Sequence, residues 1–548
     1  MSADVRSTSP APARAADRAL AGTGVLVRFL LRRDRIKLPA WTGALALFVI
    51  YLNAALPSIA DTEAELATAT ALFADPVGRL LIGPGYGFDD PTYERFVANG
   101  YGLSFALATA LMSILLVVRH TRQEEQTGRL ELVQANVVGR AAQLTATVLV
   151  ALLTNLVAAG VVFGALVAIA GFAVAGSAVF AVGLAATGMA FAGVASIAVQ
   201  LSSYARGAAG LAGAALGAAF LIRAGGDVAA EGGTTLSWFS PLAWAQQTAP
   251  YVLDRWWPLA LTVSFALMTT GVGFLLAARR DLGAGLLATR PGARYAAARL
   301  GTPLGLAARL QRANTLGWGT GLLATGVAYG AYTDALNQAF TDLPEAFLEL
   351  FGAEDLVGGY LAYIATFMAF VAAGAAIGAV QSLRAEEARG RAEAVLATPV
   401  SRTAWLASHL GVAAVTVALL LAVGGLVTGL SAAAVTGDGG LVWDVTLAHL
   451  NQIPAVWVIL GLAVALLGVA PRAVPATWAL VVYALLAGTF GPLLNLPELA
   501  QNLSPFAHPA ELPLEAFTIV PLLWLTTIAV VAAAVGLMTF RRRDLELP

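Results

Sequence analysis

The sequence contains no cysteine among its 548 residues, and lysine is almost absent as well. The lack of cysteine excludes disulfide bonds, thiolate metal sites and cysteine nucleophiles together. The single lysine, Lys37, is followed by Leu38. A Walker A phosphate loop requires a lysine followed by serine or threonine. The chain therefore carries no ATP-hydrolysing site of that kind.

Charge is also scarce, because only 12% of the residues are Asp, Glu, Lys or Arg while 58% are hydrophobic. Soluble domains have about a quarter charged residues. A soluble surface built from this chain would expose large apolar patches, which argues against a soluble enzyme. The net charge of −1 gives no bulk attraction to nucleic acid. The composition indicates a membrane protein.

Long apolar runs recur along the whole chain. A helix needs about 20 apolar residues to cross a bilayer. Twelve segments meet this requirement: 40–60, 97–118, 141–171, 176–200, 207–223, 258–278, 316–332, 361–383, 403–432, 446–469, 474–491 and 521–540. We therefore expect an all-α polytopic membrane protein with about 12 transmembrane helices. The stretch Val25–Lys37 is typical of an amphipathic helix on the membrane surface.

The arginines predict the orientation, since cytoplasmic loops are enriched in basic residues. The arginines cluster before the first span, between the second and third spans, and after the last span of each half of the chain. The segments 61–96 and 333–360 are acidic instead, and the latter contains no Lys or Arg. Within it, Leu343–Phe351 has the pattern of an amphipathic helix. We expect both termini in the cytoplasm of a bacterial cell, with the chain in its plasma membrane.

A charged stretch occurs twice. Arg122–Arg140 recurs as Arg384–Arg402, 262 residues later, with ten identities in nineteen positions. Average residue usage predicts about one identity. Two further markers keep nearly the same offset: "SPLAW" at Ser240 with "SPFAH" at Ser504, and "RRDL" at Arg279 and at Arg542. The chain is therefore interpreted as a tandem duplication of a six-span unit, and two parallel repeats are related by an axis along the membrane normal.

The repeat predicts the domain boundaries. They are 1–38, a cytoplasmic tail with an amphipathic elbow helix; 39–282, the first six-helix unit; 283–315, a cytoplasmic linker with a second elbow helix; and 316–548, the second six-helix unit.

The duplicated stretch lies between the second and third spans of each half. Arg122, Glu125 and Arg129 have the spacing of one face of a helix. Glu124, Gly128 and Glu131 would line a neighbouring face, where the glycine permits close approach. Arginines alone would be expected in a cytoplasmic loop, but the glutamates beside them would not. The presence of both arginines and glutamates in the two copies favours a docking role. The candidate docking residues are Arg122, Glu124, Glu125, Gly128, Arg129, Glu131, Arg384, Glu386, Glu387, Gly390, Arg391 and Glu393.

At these residues the sequence resembles a type-2 ATP-binding cassette (ABC) exporter permease, through the pattern R-x-E-E-x-x-G-R-x-E at Arg122–Glu131 and Arg384–Glu393. The fused form is similar to actinobacterial multidrug and polyketide-antibiotic (tetronasin-type) exporters. The resemblance implies that both stretches are coupling helices. It further implies a dimer of ATP-binding subunits on one permease chain, with ATP and Mg held by the partner and no cofactor in this chain. The cargo would be a small hydrophobic or amphiphilic compound, a drug, antibiotic or lipid-like molecule, that is moved out of the cell.

Two other classes remain open from the residues. A proton-coupled secondary transporter also has two six-helix halves, but it uses buried carboxylates, and the apolar segments show no clear one. A membrane enzyme would need clustered carboxylates near an interface, and the acids of 61–96 are typical of a solvated outer surface. The histidines are scattered without metal-ligand spacing, and His120 is expected on the cytoplasmic surface.

Aromatic residues precede the last span of each half. Such residues serve as membrane-interface anchors, or they could form an outer gate on a path between the halves. The candidates are Trp238, Phe239, Trp244, Phe506 and His508.

Overall fold

The computed structural model describes residues 19–60, 62–74, 76–287, 292–341, 356–490 and 497–545. Most of these residues are helical and none is in a strand, which confirms the all-α prediction. The chain divides into two compact units, residues 1–291 and 292–548, called unit 1 and unit 2. The predicted helix Leu343–Phe351 lies outside the described residues.

Unit 1 contains twelve α-helices of four or more residues in its described part. They are α1 (Thr23–Arg33), α2 (Lys37–Ile59), α3 (Glu63–Ala74), α4 (Pro76–Ile82), α5 (Tyr101–His120), α6 (Arg122–Gln126), α7 (Arg129–Gln134), α8 (Ala142–Gly164), α9 (Val174–Leu201), α10 (Ala205–Ala229), α11 (Ala243–Gln246) and α12 (Trp257–Ala278).

Unit 2 continues the series in its own described part. Its main helices are α13 (Pro303–Thr341), α14 (Leu356–Ala388), α15 (Arg391–Leu396), α16 (Arg402–Thr436), α17 (Leu441–Asn451), α18 (Ile453–Val469), α19 (Thr477–Phe490), α20 (Glu498–Gln501) and α21 (Ile519–Arg542).

Eleven helices of the described chain are long and apolar enough to cross a membrane, so the protein is a multi-pass membrane protein. They match eleven of the twelve predicted spans, with ends that differ by at most eight residues. The remaining span, 316–332, lies inside α13, which is not among the eleven. Its apolar content is diluted by glycines such as Gly317, Gly319 and Gly321. The expected amphipathic helix ends at Arg33, and a turn at 34–36 leads into α2.

The second and fourth spans form the core of each unit. Of the most apolar 18 residues of each helix, 67% and 78% are buried in the unit 1 helices that contain α5 and α9, and 72% and 67% are buried in the unit 2 helices that contain α14 and α18. The other candidate spans are between 17% and 39% buried. Helices that are apolar on all sides suit such central positions. The same two spans therefore occupy the centre of both units.

The fourth and sixth spans approach each other through glycines. A Cβ placed on Gly273 of α12 would lie 2.8 Å from Ser196 Cβ of α9. A Cβ on Gly536 of α21 would lie 2.5 Å from the Val464 carbonyl oxygen of α18. Small residues allow backbones to pack closely inside a membrane. Both units thus hold their sixth span against the core by glycine contacts.

A buried ion pair lies in α10, where the helix continues beyond the predicted span 207–223. Arg223 and Asp227 of α10 are both fully buried, and Arg223 Nη1 lies 3.0 Å from Asp227 Oδ2. The Ser237 hydroxyl donates to Asp227 Oδ1 at 2.6 Å. Arg223 also donates to the carbonyl oxygens of Arg79 and Leu80. Charges inside a membrane span are typically paired in this way.

Candidate functional site

The charged stretch of unit 1 forms two short helices rather than one. Helix α6 ends at Gln126, and α7 begins at Arg129 after Gly128, whose φ is +70°. In unit 2, α14 runs through Arg384 to Ala388, and α15 begins after Gly390, whose φ is +69°. The prediction of a single helix face containing Arg122, Glu125 and Arg129 is wrong, because a left-handed glycine redirects the chain between them.

The close approach expected at Gly128 is not made within its own unit, and close approach by a partner stays a prediction. Among the residues that the structure describes, no atom lies within 4 Å of a Cβ built on Gly128. Only its backbone conformation requires glycine, since a side chain with positive φ is strained.

The first testable prediction concerns this turn. Changing Gly128 or Gly390 to Ala should lower the unfolding free energy by about 1 kcal/mol, because Ala is strained at positive φ while the space beside Gly128 is open. Asn tolerates this region better than Ala, so Gly128→Asn should retain more stability than Gly128→Ala. Thermal unfolding of the detergent-solubilised variants measures the difference. Equal melting of the Ala variants and the unaltered chain would contradict it.

Arg122 points into unit 1. Its side chain is fully buried and donates from Nε to the Val199 carbonyl oxygen at 2.9 Å. Its Nη1 donates to the Ala284 carbonyl oxygen at 3.0 Å and to Glu125 Oε2 at 2.8 Å. A cation near the last carbonyls of a helix stabilises its C-terminus. Arg122 therefore joins α6 to the end of α9.

Glu124 faces the N-terminal helix. Glu124 Oε1 lies 2.7 Å from Arg33 Nη2, and this hydrogen bond raises the pKa of Arg33. Beside it, Asp34 lies 2.5 Å from Arg119 and 2.6 Å from His120 Nε2. His120 is fully buried, so the expected surface position is wrong. These contacts join α1 to α6 and to the end of α5.

Glu125 and its copy Glu387 make the same ion pair in their own units. Arg280 binds Glu125 with Nη2 on Oε1 and with Nη1 on Oε2, the latter at 2.9 Å. Arg543 Nη2 lies 2.6 Å from Glu387 Oε2. The glutamate side chains are only 5% and 3% exposed. We call the pairs Glu125–Arg280 and Glu387–Arg543 the loop anchors.

The outward surface of each loop is formed by other residues. In unit 1, Arg129 and Glu131 are exposed, as are the apolar side chains of Leu132 (74%) and Val137 (93%). These two apolar side chains lie in the same loop as the exposed charges Arg129 and Glu131.

Unit 2 also exposes Arg391 and Glu393. Arg391 lies 2.5 Å from Glu386, while Arg384 is half-buried. The structure thus separates the twelve predicted residues. Arg122, Glu124, Glu125 and Glu387 face their own unit, and Arg129, Glu131, Arg391 and Glu393 face outward.

Sequence reasoning did not identify Leu132, Val137, Asp34, Arg280 or Arg543 as part of this site. A signal existed for the two arginines, because each is the second arginine of the repeated "RRDL" marker. No local pattern distinguishes Leu132 from the buried Leu130 two residues earlier.

The predicted gate or anchor residues lie in two settings. Trp238 stacks on Trp257 with ring centroids 4.9 Å apart and accepts, through its carbonyl oxygen, the Trp244 indole N–H at 2.7 Å. Phe239 is 71% exposed. Phe506 is buried against Phe370, whereas His508 is exposed. Their role as gate or anchor stays a prediction.

The sequence matches known efflux permeases. Residues 300–541 match the family model of the multidrug efflux system permease Rv1217c, C-terminal domain. The chain is also 39% identical, over 545 residues, to the multidrug efflux system permease protein Rv1217c of Mycobacterium tuberculosis (strain ATCC 25618 / H37Rv). That alignment covers 98% of each chain.

Proposed function

The chain belongs to the multidrug efflux system permease family that Rv1217c represents, and from this premise we propose that it is the membrane subunit of an ATP-driven exporter. Hydrolysis would take place on a separate ATP-binding cassette subunit, which holds ATP and Mg. The two loops would face the cytoplasm together with both termini, and the cargo would be a small hydrophobic or amphiphilic compound.

The outward surfaces of the two loops carry this proposal. Each unit presents an exposed arginine and an exposed glutamate at equivalent positions, Arg129 with Glu131 and Arg391 with Glu393. Two such surfaces on one chain suit a dimer of ATP-binding subunits, with one loop for each subunit. The loop anchors hold each loop in one position before a partner binds. This limits the entropy cost of ordering the loop on binding.

The buried carboxylate Asp227 is the observation that bears on a proton-coupled transporter. Asp227 is fully buried, as a proton carrier should be, but Arg223 and Ser237 occupy both of its oxygens. The pair therefore suits a structural role better than proton transfer.

The second prediction tests the partner. Leu132→Glu should reduce the amount of ATP-binding subunit that copurifies with the chain by about tenfold, since a charge in an apolar contact costs more than 1.4 kcal/mol. The variant should have the same melting temperature as the unaltered protein, because Leu132 is 74% exposed. Affinity purification from native membranes followed by quantitative mass spectrometry measures the ratio, expected at two partner copies per permease.

A matched control is Leu499→Glu, which makes the same change at a leucine of α20 in unit 2 that is 82% exposed. This variant should copurify with the partner normally. Equal recovery of the partner with both variants would refute the docking surface. Absence of any ATP-binding subunit with the unaltered chain would refute the proposed function.

A further inference from the structure

The loop anchors connect positions that repeat in sequence. Glu125 and Glu387 occupy the same place in the duplicated stretch, and Arg280 and Arg543 occupy the same place in the duplicated "RRDL" marker. Both pairs form across more than 150 residues of chain. Two separate markers of the repeat therefore meet at one contact in each unit, which indicates that the contact itself was retained in both copies.

The anchors hold the end of the sixth span. Helix α12 ends at Ala278, two residues before Arg280, and α21 ends at Arg542, one residue before Arg543. The side chains of Arg280 and Arg543 are 10% and 15% exposed. A charge-assisted pair with little water around it is stronger than a surface pair. The glutamate of each loop is thus firmly attached to the last helix of its own unit.

A second contact ties the far end of each loop to the same helix. Arg140 Nη2 donates to the Ala278 carbonyl oxygen at 2.6 Å in unit 1. Arg402, its copy, donates from Nη1 to the Arg543 carbonyl oxygen at 2.7 Å in unit 2. Each loop is therefore fixed to the sixth span at both of its ends, and a displacement of the loop must either move that span or break these polar contacts.

We propose that Arg280 and Arg543 are positioning residues that make the sixth span of each unit move together with its loop. This inference rests on the proposed function, since the partner would supply the displacement. The sixth span in turn contacts the fourth through Gly273 and Gly536, so the movement reaches the core of each unit. Interfaces of closely packed helices shift as bodies rather than deform continuously.

The test compares two pairs of neighbouring arginines. Arg280→Gln combined with Arg543→Gln should lower drug export by about tenfold, the size of a typical coupling between sites. The partner should still copurify and hydrolyse ATP, so that more ATP is consumed per drug molecule exported. The matched control is Arg279→Gln combined with Arg542→Gln, because these adjacent arginines are exposed. It should export normally.

Two further variants separate positioning from folding. Arg280→Lys combined with Arg543→Lys keeps the charge and should restore part of the export with unaltered melting. Since the chain has no cysteine, Glu125→Cys with Arg280→Cys, and Glu387→Cys with Arg543→Cys, can be joined by a short cleavable thiol cross-linker. Export should be low before cross-linking and recover after it, because the linker replaces the ion pair.

The outcomes distinguish the two proposals. Export that stays low after cross-linking, or that returns only when the linker is cleaved, would show that loop and span must separate, and would overturn the inference. Normal export by the Arg280→Gln and Arg543→Gln variant would also overturn it. In either case a partner that copurifies with the unaltered chain leaves the proposed function standing, whereas a chain found without one removes its basis.

Discussion

Asp227→Ala is expected to lower the unfolding free energy of the protein by about 3–5 kcal/mol, the cost of removing one member of a buried ion pair. Arg223 would keep its charge while fully buried in α10, and the Ser237 hydroxyl would lose its acceptor. Asn at this position keeps an acceptor for Ser237 but not the charge. The unfolding free energy of Asp227→Asn should therefore lie between those of the unaltered chain and Asp227→Ala. Unfolding by heat or denaturant in detergent measures the series.

The double variant Arg223→Met with Asp227→Leu provides the internal control. Replacement of a buried pair by apolar residues of similar size is often neutral, so this variant should recover at least half of the stability that Asp227→Ala loses. Asp444→Ala, at an exposed acid of α17, should have little effect. If Asp227→Ala melted like Asp444→Ala, the ion pair would not support the fold of unit 1.

The second large effect is expected where the fourth and sixth spans touch. Gly273→Ala and Gly536→Ala would each place a methyl group against the neighbouring helix, 3.1 Å from the Ser196 carbonyl oxygen and 2.5 Å from the Val464 carbonyl oxygen. Backbone atoms cannot rotate away, so the helices must separate, at a cost of about 1–3 kcal/mol. Gly536→Ala, with the closer contact, should lose more stability than Gly273→Ala.

Gly271→Ala is the matched control for this pair. It changes the same residue type two positions earlier in α12, where no atom lies within 4 Å of the added Cβ. Ala favours the helix over Gly by about 0.5–1 kcal/mol, so this variant should be as stable as the unaltered chain or slightly more so. Loss of stability at Gly271 equal to that at Gly273 would show that the glycine contacts do not hold the sixth span.

The membrane-spanning helices could be predicted because each depends on the average hydropathy of a long run of residues. Twenty consecutive apolar residues determine a span whatever surrounds them, and α8, α9 and α12 accordingly begin within a few residues of their predicted positions. The one exception, 316–332, lies in a helix rich in glycine whose apolar average is low. The repeat was visible in the same way, since identities over nineteen positions do not depend on tertiary structure.

The direction of individual side chains could not be predicted. Glu124 and Glu125 are adjacent in a charged stretch, yet one meets Arg33 of α1 and the other meets Arg280 beyond α12. Burial of Asp227 likewise depends on Arg223 and Ser237 being brought to it. The positive φ of Gly128 is likewise not readable from a charged helical pattern. The structure keeps the charged stretch as the candidate site but divides it into an anchored face and an outward face.

The most direct test of the account is transport in inverted membrane vesicles that contain this chain with or without its copurifying ATP-binding subunit. The account predicts that a fluorescent amphiphilic drug accumulates only when ATP and the partner are both present, that collapse of the proton gradient has no effect, and that Leu132→Glu reduces accumulation about tenfold. Accumulation driven by a proton gradient, without ATP and without a partner, would contradict it.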